Sequence, residues 1–245
     1  MRDAGHITGE ALAAAGEAVC EGVTTKHLDD IIRRYIEKCG AKPSFLGYGG
    51  FPGSACISVN DEVIHGIPSH SRVLHEGDLV KIDVGAYYRG FHGDSANTFP
   101  VGKISGAARQ LMEATKRSFE LGIGAIVDSF DGGACTARVG DVGAAVEAYV
   151  RSRGYSVVRK YVGHGVGAEL HEQPDVPNFG TKGRGVRIVR GMVIAIEPMV
   201  NAGGCEVREL KDGWTVVTAD GSLSAHYEHT VAVTESGVEL LTKVS

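Results

Sequence analysis

The sequence has few cysteines, one tryptophan and no long apolar run, and each shortage closes a class of explanation. The five cysteines at 20, 39, 56, 135 and 205 are odd in number and form no CxxC pair. They read as reduced thiols, not as a disulfide framework. No apolar stretch approaches the ~18 residues that cross a bilayer. The opening Met-Arg-Asp-Ala-Gly-His lacks the apolar segment of a signal peptide. A cytoplasmic protein with no membrane partner is expected. Excess basic charge is missing too. The 25 Lys and Arg against 30 Asp and Glu leave a net charge of −5, which is no footprint for a specific nucleic acid. There is no Gly-x-Ser-x-Gly elbow, no Walker A loop and no Gly-x-Gly-x-x-Gly between a strand and a helix.

What remains is an ordinary globular composition of 245 residues, 43% of them hydrophobic. That length suits one large domain or two fused halves. Residues 3–20 are Ala-rich and read as a helix. Thr24 or Thr25 caps a second helix that runs to about Cys39 and stops at Gly40. Ala55–Val59 reads as a strand. Asp78–Tyr88 and Phe91–Phe99 read as a β-hairpin that turns near Arg89-Gly90. Ser105 to about Val127 is helical, 128–138 is a loop with a glycine pair, and Asp141–Arg153 is a helix ended by Gly154. Strands are expected at Ser156–Val158, Met192–Met199, Val207–Leu210, Thr215–Thr218 and Tyr227–Val233. The order helix, helix, strands occurs twice. His65-Gly66-Ile67 and His164-Gly165-Val166 echo each other, so one catalytic domain with pseudo-repeats at roughly 1–104 and 105–245 is expected.

Carboxylates stand where apolar residues belong. Asp83 lies in Leu79-Val80-Lys81-Ile82-Asp83-Val84, Glu197 follows Val193-Ile194-Ala195-Ile196, and Glu228 precedes Thr230-Val231-Ala232-Val233. A carboxylate among apolar neighbours is costly unless it is paired, hydrogen-bonded or bound to a metal. Any one of them has a plain alternative as an outward strand position. In the hairpin, a turn at Tyr88-Arg89 sets Asp83 directly opposite Asp94, and a turn at Arg89-Gly90 makes them diagonal neighbours. Both registers put the two on one face, where a cation between them would remove their repulsion. His164 is flanked by glycines, which let another backbone come close, and His171 follows seven residues later. One histidine would ligate and the other would meet substrate, with His65 a third candidate. The remaining histidines, His226 among them, read as structural or surface residues. Carboxylates with an imidazole favour Mn, Fe, Co or Zn.

These segments, in this order, resemble the type I methionine aminopeptidases. The similar stretches include His65-Gly66-Ile67-Pro68, Ile82-Asp83-Val84, Phe91-His92-Gly93-Asp94, Gly163-His164-Gly165-Val166-Gly167, His171-Glu172, Ile196-Glu197-Pro198-Met199, Asp212-Gly213-Trp214 and Ser224-Ala225-His226-Tyr227-Glu228-His229-Thr230. The resemblance implies an α+β pita-bread fold, two pseudo-symmetric αβ halves with antiparallel sheets around a dinuclear metal site. It implies Asp83, Asp94, His164, Glu197 and Glu228 as ligands of two divalent ions, with Asp94 and Glu228 shared between them. His65, His171 and Glu197 would be catalytic. His65 and His171 would contact the scissile peptide, and Glu197 would shuttle a proton. Tyr48, Phe51, Cys56, Leu170 and Trp214 would wall a methionine pocket, each with plain core packing as its alternative.

A small second residue in the substrate, the N-termini of nascent polypeptides as partners, the ribosome as a place of encounter and a monomeric state are also implied. Asn60 and Ser224 would help hold a structural monovalent cation. The resemblance also implies a short segment ahead of Met1 and a somewhat shorter 128–138 loop than stands here. Phe45, Gly49, Phe51 and Leu170 stand where other residues are expected. The alternatives are an X-Pro aminopeptidase or dipeptidase of the same fold, and a non-catalytic binding module on it.

Overall fold

Thr24 caps the second helix. Its hydroxyl accepts the His27 N–H at 3.2 Å, and Leu28, Ile32 and Ile36 then fall at every fourth position, all fully buried. The structure, a computed structural model, describes residues 1–131 and 134–244. The glycine pair expected in the 128–138 loop, at 132 and 133, lies outside the described residues. Among the described residues the α-helices are α1 (Arg2–Glu17), α2 (Thr25–Lys38), α3 (Gly106–Val127) and α4 (Val139–Ser152). The 128–138 segment is not all loop: Phe130–Asp131 and Ala134–Cys135 pair as a short ribbon.

The hairpin is regular from end to end. Leu79–Tyr88 pairs antiparallel with Phe91–Pro100, Tyr88 facing Phe91 across a two-residue turn. Arg89 (φ 49°) and Gly90 (φ 88°) are both left-handed, as a turn matched to the twist of the strands requires. Period-two alternation sorts the first strand cleanly. Val80, Ile82, Val84 and Ala86 are fully buried in the core shared with α1 and α2. Lys81, Asp83 and Gly85 take the opposite face. Ala55–Val59 lies along the other edge of Leu79–Tyr88. Its start is pinned by the buried Asp29 of α2, whose Oδ1 accepts the N–H groups of Ser54 and Ala55 at 2.7 and 3.0 Å.

The C-terminal half packs α3 on α4 and builds a five-stranded sheet in the order Glu172–Val176, Gly163–Gly165, Val193–Ile196, His229–Thr234, Gly237–Leu240. Its core gathers Phe119, Val142, Ile194, Ile196 and Val231. Two expected strands are broken. Met192–Met199 is Val193–Ile196 followed by Met199–Asn201, because Pro198 has no N–H to continue a ladder. Tyr227–Val233 starts later, at His229, with a separate strand Ser224–His226 ahead of it. The breaks fall at Glu197 and Glu228.

The halves meet along Phe91–Pro100. Glu228 N–H donates to the Ala96 carbonyl at 2.8 Å, and Ala96 N–H returns to the Glu228 carbonyl at 3.3 Å. Hydroxyls stitch the rest. Thr230 Oγ1 accepts from Asp94 N–H and donates to Asp94 O at 2.9 and 2.7 Å, and Thr98 Oγ1 does the same for His226 at 2.9 and 2.8 Å. The small strand Glu62–Ile64 pairs with Val216–Thr218 from the other half, which brings His65 towards Trp214. The architecture is the mixed helix and antiparallel-sheet fold expected.

Candidate metal centre and active-site cleft

Five side chains converge where the halves meet. The hairpin adopts the diagonal register, so Asp83 faces Ala96 and Asp94 faces Gly85, with the two carboxylates on one face. Glu197 and Glu228 enter from the strand breaks. The Glu197 carbonyl accepts Asn178 Nδ2 at 3.0 Å, and the Glu228 carbonyl accepts the Ser95 hydroxyl at 2.8 Å. His164 comes from Gly163–Gly165. A Cβ at Gly163 would lie 2.3 Å from the Ala195 carbonyl, and one at Gly165 2.5 Å from that of Gln173, so only glycines let the neighbouring strands this close. His164 Nδ1 donates to the Gly165 carbonyl at 2.8 Å. That bond fixes the tautomer and leaves the Nε2 lone pair facing Glu197 Oε1 at 3.5 Å and Asp94 Oδ2 at 3.8 Å.

Asp94, His164 and Glu228 each offer an atom within 4.8 Å of the others, and all three are buried. Glu197 flanks this group through His164, and Asp83 through the hairpin. Asp83 shows part of its surface to the cleft, but its Oδ1 is sealed from solvent. Asp83 Oδ1, Asp94 Oδ1 and Glu228 Oε1 have no hydrogen-bond partner. Burial pushes the Asp83 carboxyl up to about 7. Burial, reinforced by neighbouring carboxylates, holds Asp94, Glu197 and Glu228 well above the usual range. Sealed carboxylate oxygens with no donor, a neutral imidazole lone pair among them, and mutual repulsion are what divalent cations relieve. The donor set fits oxygen- and nitrogen-ligated metals.

The five converging residues share one cleft with every expected substrate contact: His65, His171, Tyr48, Phe51, Cys56, Leu170 and Trp214. Its far end is apolar, with Phe51 edge-on to Trp214 at 5.1 Å between ring centres. Phe45 joins this wall; sequence reasoning marked it as a departure and did not place it there. The His171 ring packs 4.3 Å from that of His164, and its Nδ1 lies 2.8 Å from the Tyr48 hydroxyl. Burial lowers His65 and His171 to about 4, so both are neutral near pH 7.

His226 departs from its expected structural or surface role. It is buried, neither ring nitrogen has a partner, and Nε2 lies 3.8 Å from Glu197 Oε2 and 3.9 Å from Glu228 Oε2. Its position two residues before Glu228, in the stretch that carries a candidate ligand, was the available signal.

Residues 1–235 match metallopeptidase family M24. The chain is 51% identical over 243 residues to a methionine aminopeptidase of Clostridium acetobutylicum, covering 99% of this chain and 94% of that protein. It is 49% identical to methionine aminopeptidase 1 of Bacillus subtilis, covering 100% and 95%. The crystal structure of methionine aminopeptidase from Thermotoga maritima superposes with a TM-score of 0.94 at 43% identity, covering 100% and 95%. A prolidase of Pyrococcus furiosus superposes with a TM-score of 0.73 at 24% identity and shares the fold.

Proposed function

The chain belongs to metallopeptidase family M24, among the methionine aminopeptidases, and from that premise we propose how its own residues remove an N-terminal methionine. It is a metal-dependent aminopeptidase of the pita-bread fold. In our reading Asp83, Asp94, His164, Glu197 and Glu228 would together hold two divalent ions. Bound there, the ions would supply Lewis acidity for the scissile carbonyl and lower the pKa of a water.

The rest falls to the protein. The apolar end of the cleft takes the methionine side chain against Phe51, Cys56, Leu170 and Trp214. Glu197, facing the cleft beside His164, takes the proton from the attacking water and returns it to the leaving amine. His171 is neutral. With the Tyr48 hydroxyl donating to Nδ1, its Nε2–H is free to donate to the oxygen that gains charge. His65, edge-on to Trp214, holds the peptide from the other side. The acidic cluster attracts the free α-amine of the substrate, which favours attack at the first peptide bond. A cleft that ends just past the methionine favours a small second residue.

One observation carries this reading: five side chains able to ligate metal and two neutral histidines open onto one cleft whose far wall is apolar. The decisive experiment strips the protein of metal and assays a Met-Ala-Ser peptide with Mn, Fe, Co or Zn added back. Methionine release is expected with at least one ion. Preference for an X-Pro peptide would transfer the reading to the proline-specific relatives.

The N-termini of polypeptides are the substrates, and we extend this to nascent chains met at the ribosome in the cytoplasm by a monomer. The absence of any helix long and apolar enough to cross a membrane, among the described residues, is compatible with that. We also read 1–104 and 105–245 as pseudo-repeats of one domain, supported by the helix pair and antiparallel sheet that each contributes.

A further inference from the structure

Lys81 is the largest fully buried side chain among the described residues, and the reaction makes no use of its ammonium. It lies two residues before Asp83 on the same face of the hairpin, the face turned towards the C-terminal half. A buried lysine is rare unless its charge is compensated. Here Nζ donates to the backbone carbonyl of Asn60 at 2.7 Å; burial lowers the ammonium to about 7, and Glu62, Asp61 and Asp78 oppose that drop. The Asn60 carbonyl also accepts Ser224 N–H at 3.1 Å, across the seam between the halves. Lys81 therefore reaches an oxygen that ties the first half to the Ser224–His226 strand ahead of Glu228.

Asn60 and Ser224 are the residues at which the family resemblance placed a structural monovalent cation. Their side-chain oxygens are engaged. Asn60 Oδ1 accepts Leu79 N–H at 3.0 Å, and Asn60 Nδ2 donates to Asp78 Oδ1 at 2.8 Å. The Ser224 hydroxyl donates to Asn201 Oδ1 at 2.9 Å and lies 3.3 Å from the Val200 carbonyl. An alkali ion would have to share the Asn60 carbonyl with an ammonium already at hydrogen-bond distance. Two unit charges on one buried oxygen repel strongly at that separation. The residues present do not fit the ion.

We infer that the Lys81 ammonium is the cation of this seam, a covalently tethered charge in place of an exchangeable alkali ion. The chain therefore needs no sodium or potassium to join its halves.

The test is thermal unfolding of the divalent-loaded protein in tetramethylammonium, sodium and potassium chloride at equal ionic strength. The wild type should give one Tm in all three salts. K81M, similar in length and uncharged, should lower it by roughly 5–10 °C in each, because the buried Asn60 carbonyl loses its Lys81 donor and Glu62, Asp61 and Asp78 lose a compensating charge. A saturable rise of the wild-type Tm with sodium or potassium but not tetramethylammonium would overturn the inference. So would a K81M protein as stable as the wild type. Should K81M not fold, wild-type crystals soaked in a thallous salt decide. No anomalous peak is expected beside the Asn60 carbonyl, and a peak there refutes the inference.

Discussion

The two halves deliver carboxylates to the centre by different means. The N-terminal half uses an unbroken hairpin, with Asp83 mid-strand between two pairing strands and Asp94 mid-strand between one pairing strand and the Thr230 hydroxyl. The C-terminal half uses interruptions: Glu197 stands between Val193–Ile196 and Met199–Asn201, and Glu228 between Ser224–His226 and His229–Thr234. A mid-strand residue inherits its direction from the pleat. A residue at a break needs its own anchors, and these are present in the Asn178 bond to the Glu197 carbonyl and the Ala96 and Ser95 bonds to Glu228. Regularity and interruption reach the same end, an acidic side chain aimed into a sealed space.

If both routes end in ligands of shared ions, substitution on either side should be equally damaging. D94N and E228Q should each reduce kcat/KM for Met-Ala-Ser by on the order of 10³-fold or more, since each weakens the metal centre. Calorimetric titration with Mn or Co should show the same loss of bound metal in both. A tolerated E228Q beside an inactive D94N would make the C-terminal ligands dispensable and break the parallel.

The same contrast governs what could be read before the structure. The hairpin was legible because Val80, Ile82, Val84 and Ala86 alternate with Lys81, Asp83 and Gly85, and period two fixes a face. The capped helix α2 was legible because Thr24 and the Leu28, Ile32, Ile36 spacing agree. The broken strands were not. Residues 192–199 and 227–233 are rich in apolar residues and resemble single strands; Pro198 was the local sign of the first break, and only the pairing of Ser224–His226 with Met199–Asn201 reveals the second. Proximity of Asp83 to Asp94 followed from register. Convergence of His164, Glu197 and Glu228 on them came from resemblance, because no local spacing brings residues so far apart in the chain together. Asp29, which pins the strand bearing Cys56, and Phe45, which joins the pocket wall, act through tertiary contacts that leave no local pattern.

His171 tests the C-terminal half away from the ligands. H171A should lower kcat by about 10²-fold with little change in bound metal, as expected for one donor to a developing oxyanion. Y48F, which frees Nδ1, should cost less, about tenfold or under. An H171A protein that loses metal as well would move His171 into the ligand set.

The metal-free protein should feel its buried carboxylates through pH. Their folded pKa values are raised, Asp83 from 3.8 to about 7, so their contribution to stability is full at low pH and fades as pH rises through the folded values. Between about pH 4 and 6.5 the buried histidines run the other way, because His65, His171 and His229 are lowered to about 4 and gain stability as the unfolded imidazoles lose their protons. Above pH 6.5 the four carboxylates dominate, opposed by the single amine of Lys81, which burial lowers to about 7 and which gains stability as pH rises. The Tm of stripped protein should therefore fall from pH 6.5 to 8, and divalent metal should abolish the fall. A flat metal-free profile would mean that the carboxylates do not repel.

The smallest effect separates the seam from the centre. Thr230 and Thr98 make the same pair of bonds across the halves, one to the backbone of Asp94 and the other to that of His226. Valine keeps the shape of either side chain and removes both bonds, leaving a buried N–H and carbonyl unpaired at a cost of about 1–3 kcal/mol. T230V and T98V should thus lower the Tm similarly, by several degrees. They should differ in metal affinity. Thr230 fixes the backbone of a ligand, and its loss should weaken binding up to tenfold, as support for a ligand typically does. Thr98 fixes a residue outside the five, and its loss should leave affinity unchanged. Equal loss of metal in both would place His226, which faces Glu197 and Glu228, among the residues that hold the centre in shape.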